Sequence, residues 1–81
     1  MEIRTTTHAS RQIRKLPAEV RGSINDAIDT LALWPDVENV KRLTGRNDFR
    51  LRVGRYRIIF EVTANVIWVT QIRIRDDRTY Q

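Results

Sequence analysis

Residues 49–62, FRLRVGRYRIIFEV, alternate apolar and arginine side chains on either side of Gly54-Arg55. A period of two describes strands that turn one face to a core and the other away from it. Two residues between the runs, glycine first, describe a hairpin closed by a type II′ turn, whose first position needs a positive φ. The loop length then sets a register. Val53 is expected opposite Tyr56, Leu51 opposite Ile58 and Phe49 opposite Phe60 on one side of the sheet, with Arg52 opposite Arg57 and Arg50 opposite Ile59 on the other.

Thr63-Ala64-Asn65 reads as a second loop, of three residues, with Asn65 near the left-handed conformation, which pairs Val62 with Val66. Counting outward, Phe60 meets Trp68, Ile58 meets Thr70 and Tyr56 meets Ile72 on the apolar side. Ile59 lies beside Val69 and Arg57 beside Gln71, with Arg73 and Arg75 further along. The second face is thus expected to split. Ile59, Ile67 and Val69 gather at one end, and Arg50, Arg52, Arg57, Gln71, Arg73 and Arg75 at the other.

Upstream of the hairpin the period changes. Residues 2–6 alternate as a short strand, and Thr6, Thr7 and Ser10 are caps for a helix whose face carries Ala9, Ile13 and Leu16. Pro17 suits the first position of a second helix, with Glu19 near the positive end of its dipole. Val20, Ile24, Ala27, Ile28 and Leu31 form its apolar stripe, and Pro35 stops it after Trp34. Residues 36–47 read as a connection in which 40–43 could extend briefly. The expected architecture is α+β: an N-terminal strand and a helical hairpin packed on one face of a mostly antiparallel four-stranded sheet. Residues 1–81 form one domain, without repeats or a linker.

Composition limits what can stabilise or equip such a domain. The chain has no cysteine and a single histidine, His8, so a disulfide or a thiolate metal site is excluded and a structural zinc site is not expected. No cofactor and no metal are expected. No apolar run is long enough to span a membrane and no signal peptide opens the sequence, which points to the cytoplasm and to no membrane partner. The net charge of +5 is unevenly placed: residues 1–40 carry a net −1 and residues 41–81 a net +6. Of the 15 basic residues 13 are arginine, whose planar fork grips phosphate or carboxylate through two hydrogen bonds. Stacking guanidinium groups on one small surface costs stability, and each unpaired cation needs water or an anion. An open arginine face therefore fits a polyanion. A solvated face balanced by Asp48, Glu61, Asp76 and Asp77, or one engaged by the carboxylates of a protein partner, fits the same pattern.

The segments LALWP, VKRLTGRNDFRLRVGRYRIIFEV and VIWVTQIRIRDDRTYQ together resemble the RelE/ParE superfamily, the small bacterial toxins of type II toxin-antitoxin systems. The most specific part is a leucine-X-glycine, a strand of alternating basic residues, then glycine-X-tyrosine-arginine and an apolar strand. Resemblance to the RelE branch implies a ribosome-dependent endoribonuclease that inhibits translation by cutting mRNA without a metal, through attack of a ribose 2′-hydroxyl on the adjacent phosphate. Resemblance to the ParE branch implies a DNA gyrase inhibitor of the same fold. A relative that binds nucleic acid without cutting it is a third possibility.

On the RelE reading, Arg50 and Arg52 flank the scissile phosphate and Arg57 stabilises it. Arg75 corresponds to the arginine after the last strand, and Tyr80 to a near-terminal tyrosine that stacks on or orients a base. Lys41, Arg42, Arg46, Arg55, Gln71, Arg73 and Arg78 supply further RNA contacts. The two strand positions are often lysine in RNA-cleaving members. Arginine stays protonated and is a poor general base, so Tyr80, Asp76, Asp77, Glu61, His8 or a ribosomal group would have to take the 2′-hydroxyl proton. The implied partners are a cognate antitoxin, the ribosome and mRNA. The sequence ends at Gln81, so the further C-terminal helix of some relatives is not expected.

Overall fold

The computed structural model describes residues 1–43 and 47–74. Its elements run β1 (Glu2–Thr5), α1 (Thr7–Arg14), α2 (Ala18–Thr30), a 3-10 turn (Leu31–Leu33), β2 (Val40–Arg42), β3 (Asp48–Val53), β4 (Tyr56–Thr63) and β5 (Val66–Ile74). The sheet has five strands in the order β1-β5-β4-β3-β2, with β1 parallel to β5 and the other neighbours antiparallel. The α+β class is as expected, but the sheet has one strand more. Residues 40–42, read as part of a connection, form an edge strand on β3. Three residues are too few to show a period, and only the pairing with β3 makes them a strand.

α1 starts where a threonine can cap it. Thr6 is extended, and its Oγ1 accepts the Ala9 N–H at 3.2 Å, which satisfies one of the amides a helix start leaves bare. Ala9 and Ile13 are its buried side chains. Pro17 stands one position earlier than expected, as the cap of α2, and its carbonyl accepts from the Arg21 amide at 2.8 Å. Both helices press on one face of the sheet. Ala9, Ile24, Leu31, Ile58, Phe60, Ile67 and Val69 are fully excluded from solvent there. Trp34, just past the 3-10 turn, pins the end of the hairpin to the sheet. Its ring meets Phe49 at 4.8 Å and Phe60 at 5.5 Å, both edge to face, the arrangement that ring quadrupoles favour. Among the described residues no helix is long and apolar enough to cross a membrane.

The β3–β4 register is the one the first loop dictates, from Val53↔Tyr56 through Arg52↔Arg57 to Phe49↔Phe60, with Gly54 at φ +56°. The β4–β5 register differs from the expectation. The second loop has two residues, Ala64 and Asn65, between paired Thr63 and Val66, and the positive φ of 49° belongs to Ala64. A bulge then interrupts the ladder: Ile59 pairs with Gln71 and Phe60 with Val69, leaving Thr70 unpaired. The cause lies in the strand's own apolar positions. Ile67 and Val69 are odd-numbered, Ile72 and Ile74 even, and a regular strand would send the two pairs to opposite faces. One extra residue at Thr70 corrects the parity, so Ile67 and Val69 lie under the helices with Ile72 rather than on the second face. Trp68, expected on the apolar side, turns to the other.

The bulge is closed by three side chains, those of Thr70, Thr6 and Gln12. Thr70 Oγ1 donates to the Ile59 carbonyl at 3.3 Å, and Thr6 Oγ1 donates to the Thr70 carbonyl at 3.3 Å. Gln12 of α1 accepts the Ile72 amide at 2.7 Å. Since β1 ends at Thr5, Thr6 and Gln12 take over the free edge of β5 beyond it.

Candidate nucleic-acid interface

The face of the sheet away from the helices is organised in rows across the strands. One row is Arg73, Arg57 and Arg52, drawn from β5, β4 and β3. The next is Gln71, Ile59, Arg50 and Lys41. The third is Arg4, Trp68, Glu61 and Asp48. Consecutive rows are two residues apart along β3 and β4, about 7 Å, and the bulge makes up the difference on β5. Charge is therefore graded along the strands, cationic at the Gly54 end and acidic at the other.

At the cationic end Arg50, Arg52, Gly54, Arg55 and Arg57 line a hollow of about 240 Å³. The hairpin loop allows it: glycine adds no side chain at the rim, where the positive φ is needed in any case. Arg52 and Arg55 are exposed, whereas Arg50 and Arg57 are half-buried. None of the four has an ion-pair partner among the described residues. Arg73 Nε donates to Gln71 Oε1 at 3.2 Å beside them. Ile59, on this face and outside the helix-side core, is nonetheless only 8% exposed. Its ladder neighbours are Arg50 and Gln71, whose aliphatic stems can cover it while their polar ends reach outward. The arrangement presents several N–H forks to one small volume, which suits a phosphate and, still better, a phosphate gaining charge.

No family model and no curated protein matches this chain. Solved structures do. The RelE-RelB complex of the archaeon Pyrococcus horikoshii OT3 contains a chain that superposes with a TM-score of 0.80 at 23% identity, covering 94% of this chain and 96% of that one. The chain has the RelE fold. The isolated E. coli RelE toxin is similar at a TM-score of 0.80 and 18% identity, covering 98% of this chain and 89% of that one. In the RelBE2 toxin-antitoxin complex of Mycobacterium tuberculosis the corresponding values are 0.76, 23%, 91% and 96%.

Within this RelE fold the expected site residues divide. Arg50, Arg52, Arg55 and Arg57 surround the hollow, and Lys41, Gln71 and Arg73 share its face. Arg42 does not. It pairs with Phe49, so its side chain lies on the helix side, with the guanidinium carbon 6.0 Å from the Phe49 ring and Nη2 donating to Asn47 Oδ1 at 3.5 Å. A strand alternates its faces, and Lys41 takes the open one. Arg46, Arg75, Arg78 and Tyr80 lie outside the described residues, as do Asp76 and Asp77. Of the other proton acceptors considered, Glu61 is four residues along β4 from Arg57, about 13 Å. His8 is on α1, in the opposite layer, beside Gln12, Lys15 and Ile72. Among the described residues no group of three or more His, Asp or Glu side chains is placed to hold a metal ion.

Two residues of this face were not anticipated. Arg4 arrives through the parallel β1–β5 pairing, between segments more than 60 residues apart, for which no local signal exists. Trp68 arrives through the bulge, and here the parity switch between Val69 and Ile72 was a usable signal.

Proposed function

We propose that this chain is the toxin of a type II toxin-antitoxin system, an endoribonuclease that inhibits translation by cleaving ribosome-bound mRNA in the cytoplasm. The observation that carries the reading is the arginine hollow, without an ion-pair partner among the described residues, on the face of a RelE fold away from its helices. In the reaction a ribose 2′-oxygen attacks the adjacent phosphorus. The O2′–P bond forms, the P–O5′ bond breaks, the 2′-hydroxyl proton passes to a base and the departing 5′-oxygen gains a proton. The products are a 2′,3′-cyclic phosphate and a 5′-hydroxyl. Charge grows on the non-bridging oxygens in the pentavalent transition state, where Arg50, Arg52 and Arg57 can each contribute on the order of 3 kcal/mol of stabilisation. No step in this needs a metal.

Permanently protonated guanidinium groups do not accept the proton. In this reading the acceptor comes from Tyr80, Asp76 or Asp77, with Arg75 adding charge, or from the ribosome itself. The cognate antitoxin silences the toxin by laying an acidic segment over the same arginines, as carboxylates compete with phosphate for the same forks. The RelE chains of the similar structures are bound to RelB antitoxins in several cases, which supports a partner of this kind.

Programmed ribosomes supply the test. Purified protein should cut mRNA on the ribosome, and Arg57→Ala should lower the cleavage rate by about 10²–10³ while the circular dichroism spectrum is retained. Intact mRNA beside inhibited gyrase supercoiling would replace this reading with that of a gyrase inhibitor. RNA binding without cleavage, in the full chain on ribosomes, would replace it with that of an inactive relative.

A further inference from the structure

The third row of the open face is chemically unlike the arginine hollow. Trp68 is half-buried on β5, opposite Glu61 on β4 and Arg4 on β1. The Arg4 guanidinium carbon sits 5.7 Å from the centroid of the indole. One face of the ring thus already carries a planar group, the Arg4 guanidinium. Arg4 holds that place loosely, since its side chain is 57% exposed and, among the described residues, is tethered only by an ion pair with Glu2, itself half-exposed. An exposed cation–π contact is weaker than the stacking of a base on tryptophan, so a base can displace it.

Beside the ring, Glu61 makes no hydrogen bond or ion pair among the described residues, and its other ladder neighbour is Asp48, also acidic. The Glu61 carboxylate disfavours a phosphate beside the ring. It does not disfavour a neutral base with N–H donors. From these observations the geometry points to a nucleobase subsite in which Trp68 stacks a base and the Glu61 carboxylate accepts hydrogen bonds from its edge. The inference rests on the RNA reading above and adds a base preference to it. Guanine fits best, because N1–H and the N2 amino group are adjacent donors that a carboxylate engages with both oxygens. Uracil offers a single N–H flanked by two carbonyls, which would face a negative charge. The subsite is about 13 Å along the strands from Arg57, so a strand whose backbone lies on the arginines can deliver a base there across the row of Arg50 and Ile59.

The test uses the full chain and short oligoribonucleotides that differ at one position between guanine and uracil. In Trp34→Phe, Trp68 is the remaining tryptophan, and its fluorescence should be quenched on binding. The guanine-containing oligomer should bind about tenfold tighter or more, and Glu61→Gln should abolish that difference. Trp68→Leu, measured by fluorescence anisotropy of a labelled oligomer in the otherwise unaltered chain, should lower affinity about tenfold for guanine oligomers. This arm stands even if Trp34→Phe fails to fold. Arg57→Ala should weaken all oligomers alike. Binding that leaves Trp68 unquenched, or that shows no guanine preference, overturns the subsite and leaves the RNA reading standing. Failure of every oligomer to bind, while mRNA is still cut on the ribosome, overturns the subsite alone; intact mRNA on the ribosome overturns the RNA reading itself.

Discussion

Arg52 and Arg57 face each other directly across β3 and β4, two permanent positive charges on neighbouring strands with no acidic partner among the described residues. Such a pair lowers stability by roughly 0.2–1 kcal/mol relative to a neutral one. Arg52→Gln is thus expected to raise the free energy of unfolding by a few tenths of a kcal/mol while weakening RNA binding, and urea denaturation beside oligonucleotide titration measures both. A variant that loses stability would mean that these arginines hold the sheet together rather than serve a ligand.

Backbone contacts are read by salt. The logarithm of affinity for single-stranded RNA should fall linearly with the logarithm of salt concentration, and Arg57→Ala should make that slope shallower by about 0.7. Anisotropy titrations between low and physiological salt check this. An unchanged slope removes Arg57 from the set of phosphate contacts.

The bulge at Thr70 sets which side chains are buried on β5. Deleting Thr70 forces either Ile67 and Val69 or Ile72 and Ile74 to the open face, and exposing a buried aliphatic side chain costs about 1.5–3 kcal/mol. Ile74 is already exposed, so the cheaper choice brings out Ile72; against a total stability of about 5–15 kcal/mol, the deletion should lower the urea midpoint markedly. A milder variant isolates one support. Gln12→Ala removes the acceptor of the Ile72 amide and should cost about 1–3 kcal/mol, with faster hydrogen exchange at that amide.

The two hairpin loops make opposite predictions. Ala64 holds φ 49° with a side chain that disfavours it, and Gly54 holds φ 56° without one. The left-handed region costs an ordinary residue about 1–2 kcal/mol, against about 0.5–1 kcal/mol for the extra freedom glycine loses on folding. Ala64→Gly should therefore stabilise by about 0.5–1 kcal/mol and Gly54→Ala should destabilise by a similar amount. Thermal melts of the two variants should move in opposite directions.

Much of the site was legible because the interactions that place it are local. Glycine at the first position of a two-residue loop aligns β3 with β4 from sequence alone, and that alignment already sets Arg50, Arg52 and Arg57 on one face. The amphipathic stripes of α1 and α2 likewise declare which sides they bury. The second hairpin was harder to read, since a three-residue loop with regular pairing and a two-residue loop with a bulge both set Gln71 and Arg73 on the face that carries Arg57 and Ile59. Arg42 was misplaced because β2 is too short to show its own alternation.

The sequence by itself determined the fold class, the arginine-bearing strands and the first hairpin's register, all through spacings of a few residues acting on backbone geometry. Tertiary structure decided the rest. Whether Ile67, Val69 and Ile72 share one layer depends on the helices that cover them, and the bulge that brings this about is held by Thr6 and Gln12 from the other end of the chain. That choice turned Trp68 outward beside Arg4 and Glu61, because a single extra residue in a strand exchanges the faces of everything beyond it.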